Sequence, residues 1–346
     1  MKEQNLDILL LTPFYKQQRG NAVTARRILE GYKKNGLKTE VLSLEEENWP
    51  YKIKNILKAR KPELLHIFNA RYMLHVLTKV PEIKEFPFLL TLTGTDINDN
   101  FSEIKDMEQI FNLAEYIVVF HSYFAEVLER KYPYIYREKI KVIPQGVKIP
   151  EVTGKKRRDF GWEENEVVFI LPSGLRPVKN IMLAVRGLEK AYLLFPQTRL
   201  VIAGAIIDKA YAEEVLNYIK KHEWIRYLGE IPHEKIGDYL ALSDVAINCS
   251  LAEGQPQAVL EAMALGKPAI LTDVPGNRGI IENYREGIYV KSEEDLMRAA
   301  VFLIENGEQR IEMGRAAMNL VKEKYIPESE ILSYCELIER IMKNKK

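Results

Sequence analysis

The sequence predicts an α/β protein built from two doubly wound, parallel-sheet domains. Three observations predict it. Short apolar runs alternate with segments of helical periodicity, the rhythm of strands joined by helical crossovers. The rhythm breaks once, near the middle, at a polar stretch rich in charge and chain breakers, and then restarts. The 346 residues are also more than one hydrophobic core usually fills.

The elements follow in order. LDILLL (6–11) reads as a buried strand, and AVTARRILEGYKKN (22–35) as a helix that Gly36 stops. TEVLSL, ELLHIF, FLLTLT and YIVVF repeat the strand pattern, and KVIPQGV (141–147) closes the first series. KIPEVTGKKRRDFGWEEN (148–165) is the break, so the domains are drawn as 1–150 and 151–326. EVVFILPSG, TRLVIAG, IRYLGE, VAINCS, PAILTD and GIYV read as six further strands. Residues 327–346 carry apolar positions at helical spacing and a basic end, and are expected to pack back on the first domain. Doubly wound sheets bind ligands at the carboxyl ends of their strands, so two facing sheets would enclose a cleft for a small molecule.

Composition narrows the partners. The formal net charge is +1, which speaks against nucleic acid as a partner. Cys249 and Cys335 lie far apart and outside any Cys/His cluster, so neither a disulfide nor a zinc site is expected and a reducing cytosol fits. The apolar run in MKEQNLDILLLTPF is too short for a signal peptide, and nothing approaches the ~20 apolar residues of a spanning helix. The expectation is a cytoplasmic protein, at most peripheral to a membrane. Arg26, Arg27, Lys33 and Lys34 on the first helix and the run Lys155–Arg158 read as solvated charge, with docking on an anionic membrane as the alternative. No strand is followed by G-x-G-x-x-G, which disfavours a nicotinamide enzyme.

The chemistry concentrates in SLAEGQPQAVLEAMALGKPAI (250–270). Pro256 suits the first turn of a helix and Gly266 its end. Glu253 then sits in the entering loop and Glu261 about a turn and a half inside. Helix N-termini attract phosphates, and Gly254 would let a ligand approach the backbone. Glu261 suits a ribose diol, and Glu253 the hydroxyls of a second ring. Residue types alone leave equally open that both carboxylates are merely solvated.

EGQPQAVLEAMALGKPAI resembles the E-x7-E signature of GT-B glycosyltransferases, in particular the retaining family 4 (glycosyltransferases group 1). YLGEIPHEKIGDYLALSDVAINCSLAEG, LPSGLRPVKN (171–180), VIAG (201–204) and IPQGV resemble the same family in the same order, densely from about 165 to 290. The resemblance implies the GT-B fold and transfer of a sugar from a nucleoside diphosphate to a hydroxyl acceptor. The anomeric configuration would be kept, with no metal and no other cofactor. The acceptor, a glycan, lipid or small molecule, stays open. Glu261 would bind the ribose. Glu253 would contact the transferred sugar beside the backbone of Gly254 and Gln255, and Lys179 would face the diphosphate, whose charge grows as it departs. Leu260 and Gly174 would complete the donor site.

Departures from the family pattern qualify this. Gly174 stands where the family carries an Arg, and Arg176 is the candidate replacement. Gly20 and Asn21 take the place of a glycine pair after the first strand, with Asn21 also a candidate helix cap. In TLTGTDIND (91–99) Thr93 stands where many members carry a His that contacts the sugar, and Asp96 reads equally as a buried capping residue. His121 is a candidate substitute imidazole at the end of a strand. In VPGNRGI (274–280), Gly276 and Asn277 line the nucleotide pocket or form a turn, and Gly279 replaces a common glutamate. GNAVTA, GTD, GLRPVKN and PGN together resemble a narrower sub-group of the family. The competing readings are a nucleotide-sugar-binding protein without turnover and another GT-B activity such as an epimerase.

Overall fold

The computed structural model describes residues 6–16, 20–94, 96 and 106–344. The chain divides into two compact units, residues 1–146 together with 327–346, and Val147–Ile326.

The first unit is built on a six-stranded parallel sheet of order β2-β1-β3-β4-β5-β6. Its strands are β1 (Ile8–Thr12), β2 (Thr39–Ser43), β3 (Leu64–Phe68), β4 (Phe88–Thr91), β5 (Tyr116–Val119) and β6 (Ile140–Val142). β1 and β3 are buried along their whole length, which explains their unbroken apolar runs. The first helix is Gly20–Lys34. It therefore starts before Asn21, so the cap position lies upstream of the residue expected to fill it. Gly36 follows with φ +82, a left-handed residue just past the helix end. Ala25, Ile28, Leu29 and Tyr32 turn toward the sheet, and the C-terminal helix Pro327–Lys343 joins them through Ile331, Tyr334, Leu337, Ile338 and Ile341. At Gly31 the two helices pass so closely that a Cβ would run into Ile331.

Polar side chains lock this helix in place. His66 is fully buried between Tyr32 Oη at its Nδ1 and Thr91 Oγ1 at its Nε2, both 2.8 Å, and Thr91 Oγ1 meets Tyr334 Oη at 3.2 Å. Burial pushes the His66 pKa down to about 3, so the ring is neutral. Arg27 donates to Glu330 through Nε (2.7 Å) and Nη2 (2.9 Å), and the Gly146 N–H donates to the same carboxylate at 2.9 Å. Arg26 donates to the Tyr15 carbonyl. Two of the four basic residues of the first helix are thus engaged inside the unit. No described helix is long and apolar enough to cross a membrane.

The second unit repeats the design with order β12-β11-β10-β7-β8-β9. The strands are β7 (Val167–Pro172), β8 (Thr198–Ala203), β9 (Ile225–Tyr227), β10 (Val245–Asn248), β11 (Ala269–Thr272) and β12 (Gly287–Val290). Helices Ile181–Leu194 and Glu293–Glu305 pack through Leu188, Leu296 and Leu303 into one core layer. Helices Gln257–Ala264 and Gly307–Lys324 pack through Leu260, Met263, Ala317 and Val321 into another. The polar stretch before β7 is folded onto this unit. Phe160 and Trp162 are buried beside Tyr239, and Thr153 donates twice to Asp238 at 2.7 Å. Arg157 pairs with Asp244 and donates to the carbonyls of Leu242 and Glu166.

Glu330 supports an Arg and a backbone N–H from two distant parts of the first unit. Glu330→Ala strands both, so it is expected to lower stability by about 3 kcal/mol, measured by urea unfolding of both proteins. Glu330→Gln, which keeps an acceptor, is expected to lose less.

Candidate functional site

In the second sheet β7 lies between β8 and β10, so the chain leaves β7 in one direction and later returns on its other side. Such a reversal opens a crevice at the carboxyl ends of the two strands. The loop after β7 carries Gly174, Arg176 and Lys179, and the loop after β10 carries Glu253, Gly254 and Gln255. One backbone bond ties the loops together, from Leu251 N–H to the Val178 carbonyl at 2.8 Å.

That tie brings Lys179 onto Glu253. The two side chains form an ion pair and are only 17% and 11% exposed. Glu253 Oε1 also accepts from Ser250 Oγ at 2.6 Å and from Asn248 Nδ2 at 2.9 Å. Burial alone would raise the Glu253 pKa, but the charge of Lys179 and the three donors outweigh it and hold the carboxyl below its usual range. Glu253 is a fixed anion at neutral pH. Gly254 is buried and Gln255 is 8% exposed. Gly276 packs directly on the Glu253 carbonyl, where any Cβ would overlap the oxygen.

The helix after this loop starts at Gln257. Pro256 takes the cap position rather than the first turn, because its ψ of 72 is not helical and its carbonyl accepts the N–H groups of Val259 and Leu260. Gly266, with φ +79, follows the helix end as expected. Leu260 is fully buried and packs in the core. Glu261 is 13% exposed and its Oε1 lies 3.0 Å from His233 Nε2. That hydrogen bond raises the His233 pKa above its ordinary value, against the opposing effect of burial. His233 begins the helix His233–Leu242, next along the chain after β9.

The loop after β7 holds Gly174 against Ile207, whose Cδ1 would lie 2.6 Å from a Cβ there. A longer side chain at 174 would displace Ile207. Arg176 has extended backbone, and its Nε is buried without a hydrogen-bond partner.

In the first unit, Asp96 is completely buried and takes on a capping role. Its Oδ1 accepts from the N–H groups of Thr93 (2.8 Å) and Gly94 (2.9 Å), and its Oδ2 from that of Ala70 (3.0 Å), the first residue of helix Ala70–Lys79. Thr93 Oγ1 accepts from Asn69 Nδ2 at 3.0 Å. His121 caps the helix Ser122–Lys131 in position only, with no side-chain bond. Its ring lies 4.3 Å from that of Phe124, both nitrogens are buried without partners, and desolvation lowers its pKa to about 4. Gly20 and Asn21 occupy the first two positions of the first helix; their side chains, and Thr95 and Asp99 of the TLTGTDIND segment, lie outside the described residues.

Sequence reasoning missed Asn248, Ser250 and His233. The signal was present in VAINCS, where two polar residues close an otherwise apolar strand, and in IPHEK, where a His opens a helix.

Residues 152–320 match the protein family described as glycosyl transferases group 1. That stretch contains every second-unit residue described above as part of the site. Over 273 residues the chain is 26% identical to glycosyltransferase 1 domain-containing protein 1 of Xenopus tropicalis, covering 75% of this chain and 77% of that one. It is 27% identical over 194 residues to alpha-monoglucosyldiacylglycerol synthase of Acholeplasma laidlawii, an overlap of 54% of this chain and 47% of that one. Among solved structures, Anabaena HepE in complex with UDP and glucose matches with a TM-score of 0.81 at 16% identity, over 97% of this chain and 100% of that one. The fold is GT-B, and the matches together support kinship with the glycosyltransferases of group 1.

Burial raises the Asp96 pKa from 3.8 to about 6, against the opposing backbone hydrogen bonds. A carboxyl with a raised folded-state pKa adds most stability below its unfolded pKa and loses it as pH rises through the folded value. Relative to Asp96→Asn, the wild type is therefore expected to lose about 3 kcal/mol between pH ~4 and pH ~6.5. Denaturant unfolding across that range checks it, and a pH-independent difference would contradict it.

Proposed function

We propose that the chain is a retaining glycosyltransferase that takes its sugar from a nucleoside-diphosphate donor and passes it to a hydroxyl acceptor. The observation that carries the proposal is the Lys179–Glu253 pair at the β7/β10 crevice, with Glu261 on the helix that follows. In this reading Glu261 accepts the ribose hydroxyls while His233 holds its other side. Glu253, kept ionised, accepts hydroxyls of the sugar. Lys179 offers a fixed cation to the diphosphate, where charge accumulates as the glycosidic bond breaks. The loop residues Gly254 and Gln255 let the donor approach the backbone at the helix start.

Because Glu253 already serves Lys179, Ser250 and Asn248, it is assigned to binding rather than to nucleophilic attack. Retention then follows a front-face route in which the departing diphosphate takes the acceptor proton, and the proposal invokes no metal and no bound cofactor. Arg176 is assigned to the diphosphate on its buried, unpartnered Nε. In the first unit His121 is assigned to the acceptor or sugar side, where a neutral imidazole can hydrogen-bond a hydroxyl while the diphosphate takes the proton. A cytoplasmic setting is part of the same reading and rests on the two unclustered cysteines. The family match over the second unit and the UDP and glucose bound to HepE support a nucleotide-sugar donor.

A thermal-shift screen of UDP-, GDP- and ADP-sugars tests the donor site. A ligand at ~100 times its dissociation constant adds ~2.7 kcal/mol of stability. One nucleotide class is expected to stabilise the wild type, and Glu261→Ala is expected to lose most of that shift. A stabilised wild type that hydrolyses and transfers no sugar would make the chain a nucleotide-sugar-binding protein. A full shift in Glu261→Ala would remove Glu261 from the site.

A further inference from the structure

Asn277 lies in the turn after β11, fully buried and without a part in the chemistry described above. Its amide nitrogen faces three acceptors: the Thr272 carbonyl at 2.9 Å, Asn248 Oδ1 at 3.2 Å and Thr272 Oγ1 at 3.3 Å. Only a donor fits there, so the orientation of this amide is fixed by its surroundings.

Two routes lead from Asn277 to Glu253. In the first, Asn248 Oδ1 accepts from both Asn277 Nδ2 and the Ser250 N–H (3.1 Å), which leaves Asn248 Nδ2 to donate to Glu253 Oε1. A flipped Asn248 would turn its own oxygen on the carboxylate. In the second, the Thr272 hydroxyl donates to the Ser250 carbonyl at 2.6 Å, and Ser250 Oγ donates to the same Oε1. Both routes end on one oxygen: the first fixes the amide direction of Asn248 through hydrogen bonds alone, and the second anchors the Ser250 backbone that carries Ser250 Oγ. Gly276, next in the chain to Asn277, supports the Glu253 backbone by direct contact.

We infer that Asn277 is a positioning residue for Glu253: it sets the donor direction of Asn248 and, through Thr272, holds the Ser250 backbone, so that both side chains point at the sugar-binding carboxylate. This rests on the donor-site reading above. It assigns to the turn at 274–279 the alignment of the carboxylate rather than contact with the nucleotide.

Two near-isosteric variants of the full chain test it. Asn277→Asp places an acceptor opposite three acceptors, and Thr272→Val removes only the hydroxyl link without adding charge. The readout is the Glu253 carboxyl titration followed by carbon NMR, assigned as the signal absent from Glu253→Gln. Both variants are expected to raise that midpoint by about half a unit or more. With UDP-glucose, or whichever nucleotide sugar the screen selects, kcat for donor hydrolysis is expected to fall about tenfold with KM little changed. Retention of the wild-type nucleotide melting shift shows that the second unit is still folded. An unmoved Glu253 midpoint in both variants overturns the inference. A moved midpoint in a protein whose nucleotide shift is indifferent to Glu261→Ala leaves the alignment standing and overturns the donor-site reading instead.

Discussion

The ion pair between Lys179 and Glu253 is the constraint on which the second unit's crevice depends. Two charges removed from water recover their desolvation only with good geometry and further hydrogen bonds. Here the recovery comes from Ser250 and Asn248 on the carboxylate. Each of those donors must in turn be held, and Thr272 and Asn277 hold them. The close approach of Gly276 and the tie from Leu251 to Val178 follow from the same need, since the two loops must meet for the charges to meet. Every donor aimed at the carboxylate is thus itself held, while Asn277 Oδ1 is buried without a hydrogen-bond partner. The crevice is therefore specified as a unit.

The same logic shapes the first unit at a different place. Its C-terminal helix could rest on apolar contact alone, yet Glu330, Tyr334, Thr91, His66 and Tyr32 form a buried polar seam beside it. The seam orients the helix rather than merely covering the sheet. Asp96 gathers three backbone N–H groups at the ends of β3 and β4, next to strand ends where ligands gather in this class of sheet. Thr93 is tied to Asn69. His121, just past the end of β5, keeps both ring nitrogens buried without partners.

Strands were the most legible feature of the sequence, because two-sided burial leaves an unbroken apolar run and little else explains LDILLL or VVFIL. The strand–helix alternation likewise predicts parallel order, but sheet order and the reversal at β7 are set by crossover packing that no local pattern encodes. Element ends were less legible. Pro256 was placed one residue too far inside its helix, since composition does not distinguish a cap from a first turn. The pairing of Lys179 with Glu253 was anticipated only as a shared neighbourhood, since family resemblance and residue chemistry name residue types and not which side chains meet. Leu260 illustrates another limit: it lies between two candidate carboxylates in sequence, but helical periodicity turns it into the core. Asn248, Ser250 and His233 were missed, and Asn277 was named only as pocket lining or turn, because their placement depends on hydrogen bonds between segments up to 29 residues apart.

The central claim is that the crevice at β7 and β10 is the nucleotide site. Amide hydrogen exchange on the full chain, with saturating UDP, GDP or ADP against no nucleotide, tests it most directly. The account predicts that one nucleotide slows exchange in the segments 173–180, 228–234 and 249–258, with little change at β6 or β12. Protection confined to the first unit, or none with any of the three nucleotides, would contradict it.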